Sequence, residues 1–153
     1  MPKFAANLSM LFNEHPFPER FGAAARAGFK AVEYVGAYAH PKQQVADLLL
    51  GNGLEQALFN MPAGNWDKGE RGIACLPGRE GEFQDSVGIT IDYARALNCK
   101  TVNCLAGIVP EGLSRQTALD TMAANLAFAA RALKEAGIVL VIEPINFHDI
   151  PGF

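Results

Sequence analysis

A glutamate that directly follows a long apolar run is the residue of this sequence best suited to chemistry. Residues 138–146 read Ile-Val-Leu-Val-Ile-Glu-Pro-Ile-Asn, so Glu143 closes the run and Pro144 follows it at once. Such a run is typical of a parallel strand covered on both faces, and proline ends a strand because it cannot donate a ladder hydrogen bond. We therefore expect Glu143 at the carboxyl end of an interior strand, where a charge is costly unless it is paired or binds a metal.

Further polar side chains follow other apolar segments. Glu33 lies in the segment Ala-Val-Glu-Tyr-Val and is either a second inward carboxylate or a structural carboxylate paired with a nearby arginine or a backbone amide. Asparagines lie at or just past the predicted strand ends, at Asn7, Asn60, Asn103 and Asn146. Each alone is typical of a turn cap, but several amides on one rim could hold a polar small molecule. Of these we expect Asn7 and Asn103 to contact a substrate.

Two arginines lie in a glycine-rich stretch between residues 60 and 81. Arginine binds carboxylates through two parallel hydrogen bonds, so Arg71 is the best local candidate for an anionic substrate group. The alternative for Arg71 is an ion pair inside the loop, because Glu70 precedes it. For Arg79 the structural interpretation is favoured.

Composition excludes several classes of function. The chain of 153 residues has a net charge of -3, with no long basic stripe, which argues against nucleic acid as a partner. No apolar run approaches membrane-spanning length, and the first residues lack the apolar core of a signal peptide, so we expect neither a membrane span nor a signal peptide. The three cysteines, Cys75, Cys99 and Cys104, show no CxxC spacing, so we expect reduced thiols in a cytoplasmic protein. No glycine-rich nucleotide fingerprint and no GxSxG elbow occurs, so neither a nucleotide cofactor nor serine hydrolysis is indicated.

The pattern around these residues alternates strand and helix and predicts a single α/β domain over residues 1–153. We predict strands at 4–8, 31–35, 54–59, 101–105 and 138–143, and helices at 18–27, 41–53, 82–97 and 114–136. Helices that end at Gly28, Gly53 and Gly137 fit the exits expected before a parallel strand. The pattern contains about four βα units and a fifth strand. It fits either a small doubly wound domain or the front part of a barrel, because a closed barrel needs about eight units.

Longer segments of the sequence resemble the bacterial hydroxypyruvate isomerase family, relatives of xylose isomerase with a TIM barrel. The resemblance covers the whole chain and is carried by residues 4–12 (FAANLSMLF), 28–33 (GFKAVE), 61–66 (MPAGNW), 69–79 (GERGIACLPGR), 142–146 (IEPIN) and 149–153 (DIPGF). It implies a TIM-barrel type parallel fold, incomplete in this chain, with the strands in sequential order. The 69–79 and 142–146 blocks together are specific to this group or to its neighbour, the 2-oxo-tetronate isomerases.

The resemblance also implies a reaction, the interconversion of hydroxypyruvate and 2-hydroxy-3-oxopropanoate, with a small hydroxy-oxo acid as the substrate. It implies that Glu143 is the catalytic acid/base and a ligand of a divalent metal, Mg²⁺ or Mn²⁺, whose other ligands and a second glutamate lie on later strands. Phe59 stands where some members of the family carry a histidine, and a direct substrate contact there would be lost. The alternatives are a 2-oxo-tetronate or related sugar-acid isomerase, a phosphodiesterase like the endonuclease IV branch, and a non-catalytic half-barrel.

An incomplete barrel has consequences for assembly. We expect this chain to be a truncated form with little activity alone, because no later strand brings a partner glutamate. Strands one and five should both be sheet edges, and unpaired edges are templates for pairing with another chain. We therefore expect a homo-oligomer formed through the exposed edges.

Overall fold

Parallel strands and helices alternate along the chain, as the sequence predicts. The computed structural model describes residues 2–146, 148 and 150. The strands are β1 Ala5–Asn7, β2 Ala31–Tyr34, β3 Glu55–Asn60, β4 Thr101–Asn103 and β5 Val139–Val141, and the helices are α1 Phe17–Arg26, α2 Lys42–Asn52, α3 Glu80–Ala96 and α4 Arg115–Glu135. A short 3-10 turn, Trp66–Lys68, lies in the long connection between β3 and α3.

The five strands form one parallel sheet in the order β1-β2-β3-β4-β5. This order confirms the prediction of a TIM-barrel type fold and excludes a flavodoxin-like sheet, in which β1 would lie in the middle. Asn7 lies opposite Glu33, and Asn103 lies opposite both Asn60 and Val141. In the part of the chain that the structure describes, β1 and β5 each have one neighbour, so the barrel is incomplete.

The core lies between the sheet and the helices. Side chains alternate across each strand, and Val32, Tyr34, Phe59 and Val102 point away from the inner face and are fully buried. The ring of Phe59 packs against those of Tyr34 and Tyr38. The expectation that a substrate contact is missing at Phe59 is therefore wrong, because this position faces the helices rather than the inner side of the sheet.

The connections from helix to strand repeat one geometry. After α4, Gly137 adopts a φ of 72°, and the N–H of Ile138 donates to the carbonyl of Leu133 at 2.9 Å. The predicted glycines 28 and 53 occupy the same place after α1 and α2. After α3 it is Asn98 that takes the left-handed conformation, with a φ of 50°. This cap satisfies the last carbonyls of a helix and turns the chain directly into the next strand.

The end of β5 differs from the expectation of an interior strand. Within the described residues β5 is an edge strand, and the side chain of Glu143 is exposed two positions beyond its last residue, Val141. Val139 on the same strand is 59% exposed and Ile142 is 54% exposed. The apolar run predicts a strand covered on both faces; α4 packs against β5, but no described strand pairs with its second edge. Among the described helices, none has both the length and the apolar character required to cross a membrane.

Candidate active site

The carboxyl ends of the strands open onto one cavity of about 540 Å³. The four residues expected from the sequence to act there all contribute to its wall: Asn7, Arg71, Asn103 and Glu143. Parallel strands in sequential order bring their carboxyl ends to one rim, and the long connection after β3 folds over the same rim. The prediction that the tip of this connection and Glu143 share one rim is confirmed.

Asn7 and Glu33 form one polar pair in the wall. The Asn7 Nδ2 donates to Oε1 of Glu33 at 3.2 Å, and the Asn7 Oδ1 accepts the N–H of Ser9 at 2.9 Å. Asn7 therefore caps a turn, as asparagines at strand ends commonly do, and at the same time orients a carboxylate. Glu33 is an inward carboxylate of the cavity, one of the two interpretations that the sequence left open.

Asn60 and Asn103 form a second pair on the neighbouring strands. The Asn103 Nδ2 donates to Oδ1 of Asn60 at 3.1 Å, and the side chain of Asn103 is 3% exposed. The Asn103 Oδ1 is buried and accepts no hydrogen bond from the described residues. A buried acceptor without a partner is costly, so this amide is a candidate for a hydrogen bond with a bound hydroxyl group.

The connection between β3 and α3 is fastened to the body of the protein by its backbone. Gly72 pairs with Ala106 in an antiparallel bridge, and the N–H of Cys75 donates to the carbonyl of Ala106 at 2.9 Å. Asn125 of α4, itself 3% exposed, donates from Nδ2 to the carbonyl of Ala74 at 2.9 Å. A loop of this length is usually functional or disordered, and here these contacts hold it in place.

The tip of the connection presents an arginine on an aromatic ring. The guanidinium carbon of Arg71 lies 3.8 Å from the centroid of the Trp66 ring, a cation–π contact. The Arg71 Nη1 also donates to the carbonyls of Trp66 at 3.1 Å and Glu70 at 2.8 Å. Both side chains contribute to the cavity wall. Sequence reasoning did not foresee the stacking, although an arginine five residues after a tryptophan in a glycine-rich loop was a usable signal.

Glu70 pairs with Arg79 and not with Arg71. The Arg79 Nη1 lies 2.6 Å from Oε1 of Glu70, and Arg79 also bonds Glu82 at 2.7 Å. The hydrogen bond from Arg79 holds the pKa of Glu70 below its ordinary value. The alternative of an ion pair between Glu70 and Arg71 is therefore wrong, and the structural interpretation of Arg79 is confirmed.

The three cysteines are all free thiols in buried positions. Burial raises the pKa of the Cys104 thiol to about 12, and it also raises the pKa of the Cys75 and Cys99 thiols. At neutral pH all three are therefore protonated. None of them has the character of a catalytic nucleophile, which requires a thiolate.

A metal ion in the cavity would need oxygen, nitrogen or sulfur donors from its wall. Glu33 and Glu143 are the carboxylates of its described wall. Within residues 2–146, 148 and 150, no group of three or more His, Cys, Asp and Glu side chains lies close enough together to hold a metal ion. The described residues therefore do not form a metal cage by themselves. The sequence block 149–153 lies outside the described residues apart from Ile150.

Comparison with known proteins identifies the class of protein to which this arrangement belongs. The profile of the family described as "Xylose isomerase-like TIM barrel" matches residues 21–153. The chain belongs to this family. Its sequential parallel sheet, with a cavity at the carboxyl ends of the strands, is the architecture that the family name describes.

Particular relatives within the family are isomerases. The chain is 50% identical over 153 residues to hydroxypyruvate isomerase from Escherichia coli (strain K12), covering 100% of this chain and 59% of the relative. It is 46% identical over 153 residues to 2-oxo-tetronate isomerase from Cupriavidus necator, again covering 100% of this chain and 59% of the relative. The chain thus spans about six tenths of the length of these curated relatives, as the 59% coverage shows.

Solved structures agree with the fold. A crystal structure described as AP endonuclease, family 2 from Brucella melitensis superposes with a TM-score of 0.97 at 47% identity, covering 100% of this chain and 59% of that one. A D-allulose 3-epimerase from Methylomonas sp. superposes with a TM-score of 0.63 at 20% identity, covering 84% of this chain and 45% of that one. The second likeness shows the fold alone.

Proposed function

We propose that the chain contributes the substrate-binding rim and one catalytic carboxylate of a hydroxypyruvate isomerase. The observation that carries this proposal is the shared cavity of Glu143 and Arg71, in a chain that is 50% identical to such an enzyme. The substrate is a small 2-oxo acid with a hydroxyl group next to its carbonyl. The reaction interconverts hydroxypyruvate and 2-hydroxy-3-oxopropanoate.

The proposed chemistry moves a carbonyl by one carbon without any external oxidant. Glu143 removes a proton from the hydroxyl-bearing carbon of hydroxypyruvate, and the electron pair of that C–H bond forms an enediolate. A proton is then returned to the neighbouring carbon, and the hydroxyl proton moves to the other oxygen, so that atoms and electrons balance. A positioned carboxylate is a suitable general base and acid for both proton transfers.

The other cavity residues orient the substrate in this proposal. Arg71 binds the substrate carboxylate, because a guanidinium matches a carboxylate in charge and in geometry. Asn103 carries the buried acceptor that a substrate hydroxyl can satisfy. Asn7 contacts the substrate edge while it holds Glu33 in place. Contacts of the substrate with these amides, including a hydrogen bond from its hydroxyl to Oδ1 of Asn103, then fix which carbon faces Glu143.

A divalent ion, Mg²⁺ or Mn²⁺, with Glu143 as one of its ligands is part of the proposal. Such an ion would stabilise the negative charge that develops on the substrate oxygens. The described residues do not supply a complete set of ligands, so no step above depends on the ion. Addition of Mg²⁺ or Mn²⁺ to the assay described below tests whether it contributes.

The experiment that tests the function is an isomerase assay on the purified 153-residue chain, with hydroxypyruvate and with 2-oxo-tetronate as substrates. We expect weak turnover at most, because Glu143 is exposed and Glu33, the other described glutamate of the cavity wall, is already engaged by Asn7. The same chain extended to the length of its relatives should turn over hydroxypyruvate faster than 2-oxo-tetronate. Faster turnover of 2-oxo-tetronate would establish a 2-oxo-tetronate isomerase, and cleavage of abasic DNA would establish a phosphodiesterase. If the extended chain acts on none of these substrates, the chain is a non-catalytic half-barrel.

We also propose that the chain associates with itself in a cytoplasmic setting. The free, buried cysteines support a reducing compartment. The exposed Val139 on the edge strand β5 supports pairing with a second copy. Sedimentation at micromolar concentration should show a dimer, and Val139→Lys should shift it to monomer. A wild-type monomer that melts cooperatively would contradict this proposal.

A further inference from the structure

In the connection between β3 and α3, Arg79 forms ion pairs with two carboxylates, whereas Arg71 forms none with the carboxylates of the described residues. Glu70 stands next to Arg71 in the sequence, which makes it the nearest carboxylate along the chain. Both of its oxygens nevertheless face Arg79, with Nη1 to Oε1 at 2.6 Å and Nη2 to Oε2 at 3.3 Å. The Glu70 Oε2 also accepts the backbone N–H of Asn65.

Arg79 is held in the position that captures Glu70. It precedes α3, and Glu82 in the first turn of that helix accepts from its Nε at 2.8 Å and from its Nη2 at 2.7 Å. The Arg79 side chain is 29% exposed. A guanidinium clamped between two carboxylates loses little further freedom when it binds either of them. The helix start therefore fixes the partner of Glu70.

Arg71 keeps a positive charge that no described carboxylate neutralises. Of its donors, Nη1 bonds two backbone carbonyls, and the plane rests on Trp66. No carboxylate among the described residues pairs with it. Gly64 leaves room for Glu70 beneath the loop: its φ is 80°, and a Cβ there would lie 2.1 Å from Oε2 of Glu70.

We propose that Arg79 is a positioning residue for anion recognition: by engaging Glu70 it prevents Glu70 from neutralising Arg71 and keeps the Arg71 guanidinium available to a substrate carboxylate. This inference rests on the proposed function for the identity of the anion. Without Arg79, Glu70 is a free carboxylate beside Arg71. An ion pair between these neighbours would draw the guanidinium off the Trp66 ring and compete with the substrate.

The test compares Arg79→Leu with the double variant Glu70→Gln/Arg79→Leu in the full chain. Binding of hydroxypyruvate is measured by titration calorimetry, and dihydroxyacetone serves as the analogue without a carboxylate. We expect Arg79→Leu to raise the Kd of hydroxypyruvate about tenfold, roughly the worth of one hydrogen bond to a charged group. The double variant should return to near the wild-type Kd, and binding of dihydroxyacetone should not change between variants.

A second readout needs no substrate. Trp66 is the single tryptophan of the chain, so its fluorescence reports directly on the stacked guanidinium. The emission should change in Arg79→Leu and recover in the double variant. Asp92→Asn, which breaks the separate surface ion pair with Lys42, should behave as wild type in both readouts, and Glu70→Gln alone should bind hydroxypyruvate at least as tightly as wild type.

The outcomes separate this inference from the proposed function. A double variant as impaired as Arg79→Leu would show that Arg79 only stabilises the loop, and weaker binding by Glu70→Gln alone would overturn the inference in the same way. If the Kd and the Trp66 fluorescence both recover in the double variant but no isomerase activity is found, the role of Arg79 is upheld and the proposed function is refuted. If the protein is an active isomerase but Arg79→Leu leaves the Kd of hydroxypyruvate unchanged, the proposed function is upheld and the role of Arg79 is refuted. Absence of hydroxypyruvate binding by the wild-type chain would refute both.

Discussion

The connection after β3 supplies Arg71 and the segment after β5 supplies Glu143 to the candidate site, and these two regions are held very differently. The connection is fixed by a backbone bridge at Gly72, by Asn125 of α4 and by the ion pairs of Arg79. Residues 142–145 make no backbone hydrogen bond to the described part of the chain, and Glu143 is exposed. The chain therefore fixes in place the region proposed to recognise an anion, and the proposed catalytic carboxylate, Glu143, is not held in the same way by the described residues.

The sharpest way to test this division is to remove the carboxylate. Glu143→Gln should lower kcat by about 10²–10⁴-fold in a chain extended to the length of its relatives, because an amide cannot accept the proton in general base catalysis. The KM for hydroxypyruvate should hardly change, since binding belongs to the other region. Glu135→Gln at the end of α4 is the matched control and should be neutral. Substantial residual turnover by Glu143→Gln would assign the proton transfer to another group.

Removal of Arg71 should weaken substrate binding much more than it lowers kcat. Arg71→Ala should raise the KM of hydroxypyruvate, and the Kd in a binding titration, about ten- to a hundredfold, because a charge-assisted contact is lost. The kcat should fall much less. Arg131→Ala on the exposed surface of α4 controls for loss of a positive charge. If Arg71→Ala lowers kcat while KM is unchanged, the arginine acts on the transition state rather than as an anchor.

The attachment of the loop can be broken without touching either charge. A Cβ at Gly72 would lie 2.3 Å from the carbonyl oxygen of Leu105, and the φ of this residue is 113°. Gly72→Ala should therefore destabilise the protein by about 1–3 kcal/mol through backbone strain. Gly88→Ala in α3 meets nothing within 4 Å and should stabilise by about 1 kcal/mol through helix propensity. Urea unfolding measures both, and equal effects would contradict the described path of the loop.

The two regions also differ in how far the sequence alone predicts them. Strand order and helix exits follow from local signals, namely apolar runs of strand length and glycines just past helix ends. Asn7, Asn103 and Glu143 follow from strand ends, Glu143 also from the resemblance to a family, and Arg71 follows from its place in the long loop. The Glu70–Arg79 pair does not, because its partners are nine residues apart and the competing neighbour Arg71 is closer in sequence. The exposure of Glu143 also escapes prediction, because an apolar run specifies that a strand should be covered but not which element covers it.

The ion pair of Glu70 makes the anchored region sensitive to acid. Hydrogen bonds from Arg79 and from the Asn65 N–H, together with the charges of Arg79 and Lys68, lower the pKa of Glu70 below its ordinary value of 4.5. A carboxylate whose pKa is lower in the folded than in the unfolded state stabilises the fold fully above the unfolded pKa. This contribution is lost as the pH falls through the folded pKa.

Glu70→Gln isolates that contribution, and its change in the free energy of unfolding should be the smallest of these predicted effects. Partly exposed ion pairs are worth about 0–1 kcal/mol, so wild type should exceed Glu70→Gln slightly in free energy of unfolding at pH 7. The difference should shrink below pH 4.5, where the free carboxylate begins to bind protons. Because the Asp92–Lys42 pair titrates in both proteins, its contribution cancels in this difference. Urea unfolding at pH 7 and at successively lower pH measures it, and a difference that grows as the pH falls would mean that Glu70 is not stabilised as a carboxylate by Arg79.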